Sequence, residues 1–156
     1  MKILWPTIDA LLPMNTAGRM GVLKRLETVA KNNDVFLYYF YDEENDNNTT
    51  KFALEKLCRE VHGYKRSLSR LDLIKNIIRY PYTVSTRINE TMIKDIDNCV
   101  EENDIELINI DFPQMGYVIF GLKNRDGVKI IMNQHNIEWM RFEEMSKSNS
   151  ISFFKK

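Results

Sequence analysis

At 156 residues, with 44% hydrophobic and 28% charged positions, the chain has the profile of one ordinary soluble globular domain. Its 22 basic and 22 acidic residues cancel, which argues against a domain whose main work is holding nucleic acid, since such domains carry a basic excess. Cys58 and Cys99 are isolated thiols, there is no CxxC pair, and His62 and His135 are far apart, so neither a disulfide framework nor a structural zinc is expected.

The opening MKILWPTIDALLPM is interrupted by Pro6 and Asp9 and lacks a small-residue cleavage pattern, so it does not read as a signal peptide. No run of about 18 apolar residues is present, and the expected compartment is the cytoplasm. Lys2 to Trp5 predicts a short strand ended by Pro6. After a long loop, Asn15 or Thr16 is placed to cap a helix whose apolar face is Met20, Leu23, Leu26 and Ala30. VFLYYFY, from Val35, predicts a buried strand. DEENDNNTT predicts a solvated loop, followed from Thr50 by a helix carrying Leu54, Leu57, Cys58 and Val61 and stopped at Gly63.

A short helix is predicted over residues 71–79, broken by Pro81, with Tyr82 to Val84 extended. A further helix starts near Asn89 and turns Met92, Ile93, Ile96 and Val100 inward. Glu106 to Ile110 predicts a strand, Pro113 to Leu122 a helical segment, and Val128 to Asn133 a strand buried on both faces. Strands alternating with helices predict an α/β fold: a Rossmann-like, doubly wound, mostly parallel sheet with helices on both faces, spanning residues 1–156 as a single domain. Ligands of such sheets bind at the carboxyl ends of strands. The polar cluster Gln134-His135-Asn136 follows the last predicted strand, where a binding crevice should lie. The ending, with Phe153 and Phe154 and no further strand, reads as part of something longer.

Three stretches, in order, resemble the N-terminal domain of GT-B glycosyltransferases close to family 4: KILWPT with the loop PMNTAGRMG, then RYPYTVSTR, then QHNIEWMR. The resemblance implies the acceptor-side domain of a two-domain enzyme that moves a sugar, with retention, from a nucleotide-sugar donor to a polysaccharide or lipid-linked acceptor. It implies no cofactor beyond that donor and no catalytic metal. By the same resemblance, Gly18 and Arg19 sit at the lip of the cleft, Asn136 stands beside the substrate, and His135 faces the donor sugar as the catalytic group. Ala17 replaces the first glycine of the family's pair, which puts close approach of backbone to ligand there in doubt. The family's paired donor-binding glutamates belong to its C-terminal domain and have no counterpart in this sequence. An isolated chain of this kind is expected to bind ligand weakly and not to turn over, because half the cleft is missing.

Plainer readings stand beside these. His135 and Asn136 would also serve as caps for a following helix, Gly18 would shape a turn, and Gly21 would permit tight helix–sheet packing. Trp139 and Phe142 read as packing residues. A dinucleotide site would use Asp42, Glu43 or Glu44 on a ribose, but the glycines read GRMG rather than GxGxxG and the first loop is too long. A non-catalytic α/β partner module is the competing class. Finally, Lys65, Arg66, Arg70, Lys75, Arg79 and Arg87 stand against the single acid Asp72 within residues 64–87. That excess suits either peripheral contact with anionic lipid at the inner membrane face or an ordinary helix with a basic outer side.

Overall fold

The strand Asp34–Tyr41 (β2) shows why its sequence is apolar almost throughout: Phe36, Tyr38 and Phe40 enter one core and Val35, Leu37 and Tyr39 enter another. Side chains alternate across a strand, so a strand covered on both faces reads as one continuous apolar run. The computed structural model describes residues 1–66, 69–123 and 125–134. Five parallel strands form one sheet in the order β3-β2-β1-β4-β5, with β1 at Lys2–Thr7, β3 at Glu60–Lys65, β4 at Leu107–Asp111 and β5 at Lys129–Asn133. Helix α1 (Ala17–Ala30) lies on one face through Val22, Leu23 and Leu26. Helices α5 (Glu90–Asn103) and α6 (Tyr117–Gly121) lie on the other through Met92, Ile96 and Val118. This is the α/β, Rossmann-like, doubly wound arrangement that the alternation of elements predicts. No helix among the described residues is long and apolar enough to cross a membrane.

Two helix starts follow directly from short polar side chains. The Thr16 hydroxyl accepts from the Arg19 N–H at 3.2 Å, and the Asn89 side-chain oxygen Oδ1 accepts from the Met92 N–H at 2.9 Å. Each satisfies one of the donors that a helix leaves free at its N-terminus. Met20 is exposed on α1, and Val22 takes the buried place that the spacing assigned to it.

Several elements differ from expectation. Residues 44–50 are helical, not loop: α2 spans Glu44–Leu54, and the chain then turns into β3 rather than continuing as a helix to Gly63. Only Thr50 and Leu54 of α2 are buried, so its sequence lacks an apolar period. Gly63 is part of β3, where a Cβ would stand 2.2 Å from Asn47 Oδ1 and 3.0 Å from the Tyr39 ring. Gly21 has nothing within 4 Å of such a Cβ, so tight packing is not its role. Tyr82–Ser85 is a short helix, α4, rather than extended; the Ser85 hydroxyl donates to Tyr80 O at 2.9 Å and to Pro81 O at 3.0 Å.

Pro6 does not end β1. Lys2 turns its carbonyl toward the β4 side, and the two-residue period points the Pro6 nitrogen the same way. Pairing with β4 has already stopped there, at Leu4↔Ile108, so no ladder bond is lost. Finally, β5 is an edge strand among the described residues, with Ile130, Ile131 and Met132 exposed rather than buried on both faces.

Candidate functional site at the strand ends

The chain winds from β1 outward to β3, then returns to the far side of β1 to build β4 and β5. The direction of winding reverses between β1 and β4, the place where sheets of this kind open a ligand crevice. Past the Leu4↔Ile108 pair the two strands have no further pairing, and a hollow of about 160 Å³ lies beyond it. Thr7, Ile8 and Asp9 wall it from β1 and its continuation, Gly18 and Arg19 from α1, and Phe112 from the end of β4.

Phe112 joins the parts. Its backbone N–H donates to Asn133 O at 3.0 Å, tying the end of β5 to the end of β4. A Cβ on Gly18 would stand 3.5 Å from its ring, an ordinary contact. Its φ of 72° is a left-handed value that a bulky side chain adopts at a cost of about 1–3 kcal/mol, a kind of strain that clusters at binding sites. Below it, Asp111 is fully buried; it accepts from the Trp5 indole N–H at 2.5 Å and from Arg25 Nη2 at 2.7 Å. Those bonds fix β4 against β1 and α1 beneath the hollow.

A charged cluster adjoins the hollow. Arg66 follows β3 and reaches back across the ends of β2 and β1, donating to Ile8 O at 3.2 Å and Asp9 Oδ1 at 2.5 Å. Its other terminal nitrogen is 3.2 Å from Asp42, which follows β2. Arg87, just after α4, completes the group, donating to Thr83 O at 2.8 Å and the Thr86 hydroxyl at 3.2 Å. Burial, and after it the positive charge of Arg66, holds the Arg87 guanidinium below its usual range, while Asp9 and Asp42 oppose that shift. The Nε atoms of both arginines are buried without a hydrogen-bond partner among the described residues. Donors and acceptors thus alternate at the edge of one hollow, an arrangement able to take hydroxyl groups, each of which donates and accepts.

Gly18 and Arg19 both line the crevice. Arg19 is also engaged, with Asp46 at 3.2 Å and Pro13 O at 3.3 Å. His135 and Asn136 lie outside the described residues. So do Trp139, Phe142, Phe153 and Phe154. Arg66 and Arg87 belong to the charged cluster beside the crevice rather than to a basic outer surface, and Asp9 and Asp42 join them as residues that a linear reading does not connect. His62 sits on edge strand β3, stacked on Tyr38 and 2.8 Å from Glu60, away from the hollow. No cluster of three or more potential metal ligands occurs among the described residues.

A larger trough, about 680 Å³, runs along the sheet face beside α1 and is walled by Ile3, Trp5, Val29, Leu107 and Ile131. It runs along the sheet face, whereas ligands of open α/β sheets bind outside the strand ends at the switch point, so position rather than volume favours the smaller hollow.

No family model and no curated protein matches this chain. Two crystal structures of the C-terminal domain of a hydrogenase from Pyrococcus furiosus are similar in backbone. One is 17% identical with a TM-score of 0.48, covering 85% of this chain and 90% of that one. The other is 16% identical with a TM-score of 0.45, covering 85% and 91%. These likenesses carry nothing about activity.

Proposed function

We propose that this chain is the acceptor-side domain of a retaining GT-B sugar transferase, acting with a second domain that holds most of the nucleotide-sugar. The observation that carries the reading is the hollow at the switch point, where Gly18, Arg19 and Phe112 meet and where Asn133, two positions before His135 in the sequence, is hydrogen-bonded to Phe112. In such a transfer the bond from the anomeric carbon to the donor's diphosphate breaks. A bond to an acceptor oxygen forms on the same face of the ring, and the acceptor's proton leaves with the diphosphate. Positive charge develops on the sugar ring; a backbone carbonyl is the type of group that stabilises it, and a neutral imidazole such as that of His135 is the type that holds a sugar hydroxyl. Asp9, Arg66 and Arg87 supply alternating acceptors and donors suited to the hydroxyls of a glycan or lipid-linked sugar.

In a complete two-domain enzyme, His135→Ala is expected to lower turnover by roughly 10²-fold or more, on the scale of losing one aligned stabilising group. Unchanged turnover would remove His135 from the reaction. For the chain itself, saturation-transfer NMR against a panel of nucleotide-sugars and NAD tests the class of ligand. Transfer to a nucleotide-sugar but not to NAD supports the reading; the reverse favours a dinucleotide site.

A further inference from the structure

Helix α3 (Arg70–Arg79) turns most of its apolar residues outward, with Leu73 half-buried. Leu71 is 71% exposed and Ile78 85%, with Ile74 and Tyr82 also open to solvent. Residues 71, 74 and 78 recur at three- and four-residue spacing, so they form one stripe along the helix. The packing neighbour that α3 shares most with is α4, which in turn sits against the segment after β4. The stripe therefore stands beside the crevice but does not line it.

We propose that this stripe is a docking surface for an anionic lipid bilayer. The helix carries Arg70, Lys75 and Arg79 against Asp72 in a chain whose net charge is zero. Lys75 lies within the stripe by its spacing, and Arg79 flanks it over the Tyr80 ring at 5.5 Å. A helix with exposed aliphatic residues and interleaved cations lies in the interface plane, where the apolar side chains enter the acyl boundary and the cations meet lipid phosphates. Lys75 decides between a bilayer and a second copy of this chain. In a two-fold contact the stripes would bring Lys75 and Arg79 of one copy against the same cations of the other, an unfavourable like-charge arrangement. At a bilayer its long stem reaches the headgroups. Arg66 and Arg87 are not part of this surface, since both are turned into the crevice cluster.

The proposal is independent of sugar transfer: vesicle binding and ligand binding are separate measurements. The 156-residue chain would be co-sedimented with vesicles of phosphatidylcholine alone and of phosphatidylcholine with phosphatidylglycerol, at low and high salt. Binding to the anionic vesicles is expected to be about tenfold stronger or more at low salt and to fall as salt rises. The double variant Lys75→Glu with Arg79→Glu should lose the salt-sensitive part. Ile74→Asp with Ile78→Asp should weaken binding further, with unchanged melting because those side chains are exposed. Equal binding to both vesicle types, no binding at low salt, or wild-type binding by both variants would overturn it. Self-association removed by the isoleucine variant, without vesicle binding, would assign the stripe to a second copy instead.

Discussion

Arg66 and Asp9 meet at 2.5 Å although they follow different strands, β3 and β1, with the end of β2 between them. A third partner, Asp42, directly follows that intervening strand. The contact holds the carboxyl edge of half the sheet in a fixed arrangement around the hollow. Because Arg66 is only partly buried, its replacement by leucine is expected to lower the unfolding free energy by about 1–2 kcal/mol. Urea unfolding at low and high salt measures this, and the loss should shrink as salt screens the more exposed Asp42.

The same substitution at two glycines should act in opposite directions. Gly63→Ala drives a methyl group into Asn47 and the Tyr39 ring, and should destabilise by about 1–3 kcal/mol. Gly21→Ala meets nothing in the middle of α1 and should stabilise by about 0.5–1 kcal/mol through helix propensity. Thermal unfolding of the two variants gives the signs directly. Adding Asn47→Ala to Gly63→Ala should recover part of the loss.

Asp111→Ala should cost about 2–4 kcal/mol, because a buried carboxylate that serves both the Trp5 indole and Arg25 is removed. Asp111→Asn should cost less, since its carbonyl can still accept from Trp5. Equal denaturant midpoints for both variants would show that the charge, not the acceptor, matters.

Stability falls at alkaline pH. Burial pushes the Cys58 thiol up to about 12 and the Cys99 thiol up to about 11, from the usual 9.0. Burial likewise raises the Tyr38, Tyr39, Tyr64 and Tyr117 phenols above their usual 10.0. Above about pH 9 the unfolded thiols lose protons that the folded ones keep, so the unfolded state binds fewer protons and stability falls. The thiol contribution is present in full below pH 9 and is lost as pH rises from there toward 12, with the tyrosines deepening the fall above pH 10. Unfolding midpoints flat to about pH 8.5 and descending beyond are expected. Native Cys58 and Cys99 should also react slowly with thiol reagents at pH 8 and rapidly in urea.

What the residues reveal unaided follows from which interactions are local. Thr16 and Asn89 announce α1 and α5 because a cap and an apolar period lie within a few positions of each other. Helix α2 is obscured because it buries only Thr50 and Leu54 beneath a polar surface, and β3 because Gly63 answers to Asn47 and Tyr39 rather than to its sequence neighbours. The site divides the same way. Gly18 and Arg19 are adjacent and legible as a loop-to-helix corner. Asp9, Asp42, Arg66 and Arg87 become one cluster only through the strand order, so the same arginines read along the chain look like part of a basic stripe.

The central claim is that the hollow between the ends of β1 and β4 receives the sugar-bearing ligand. Amide chemical-shift mapping of the isotope-labelled chain, titrated with a nucleotide-sugar to millimolar concentration, tests it most directly. Shifts concentrated at Thr7, Gly18, Arg19 and Phe112 are expected. Shifts confined to Ile3, Leu107 and Ile131 in the apolar trough, with those strand-end amides unmoved, would contradict it.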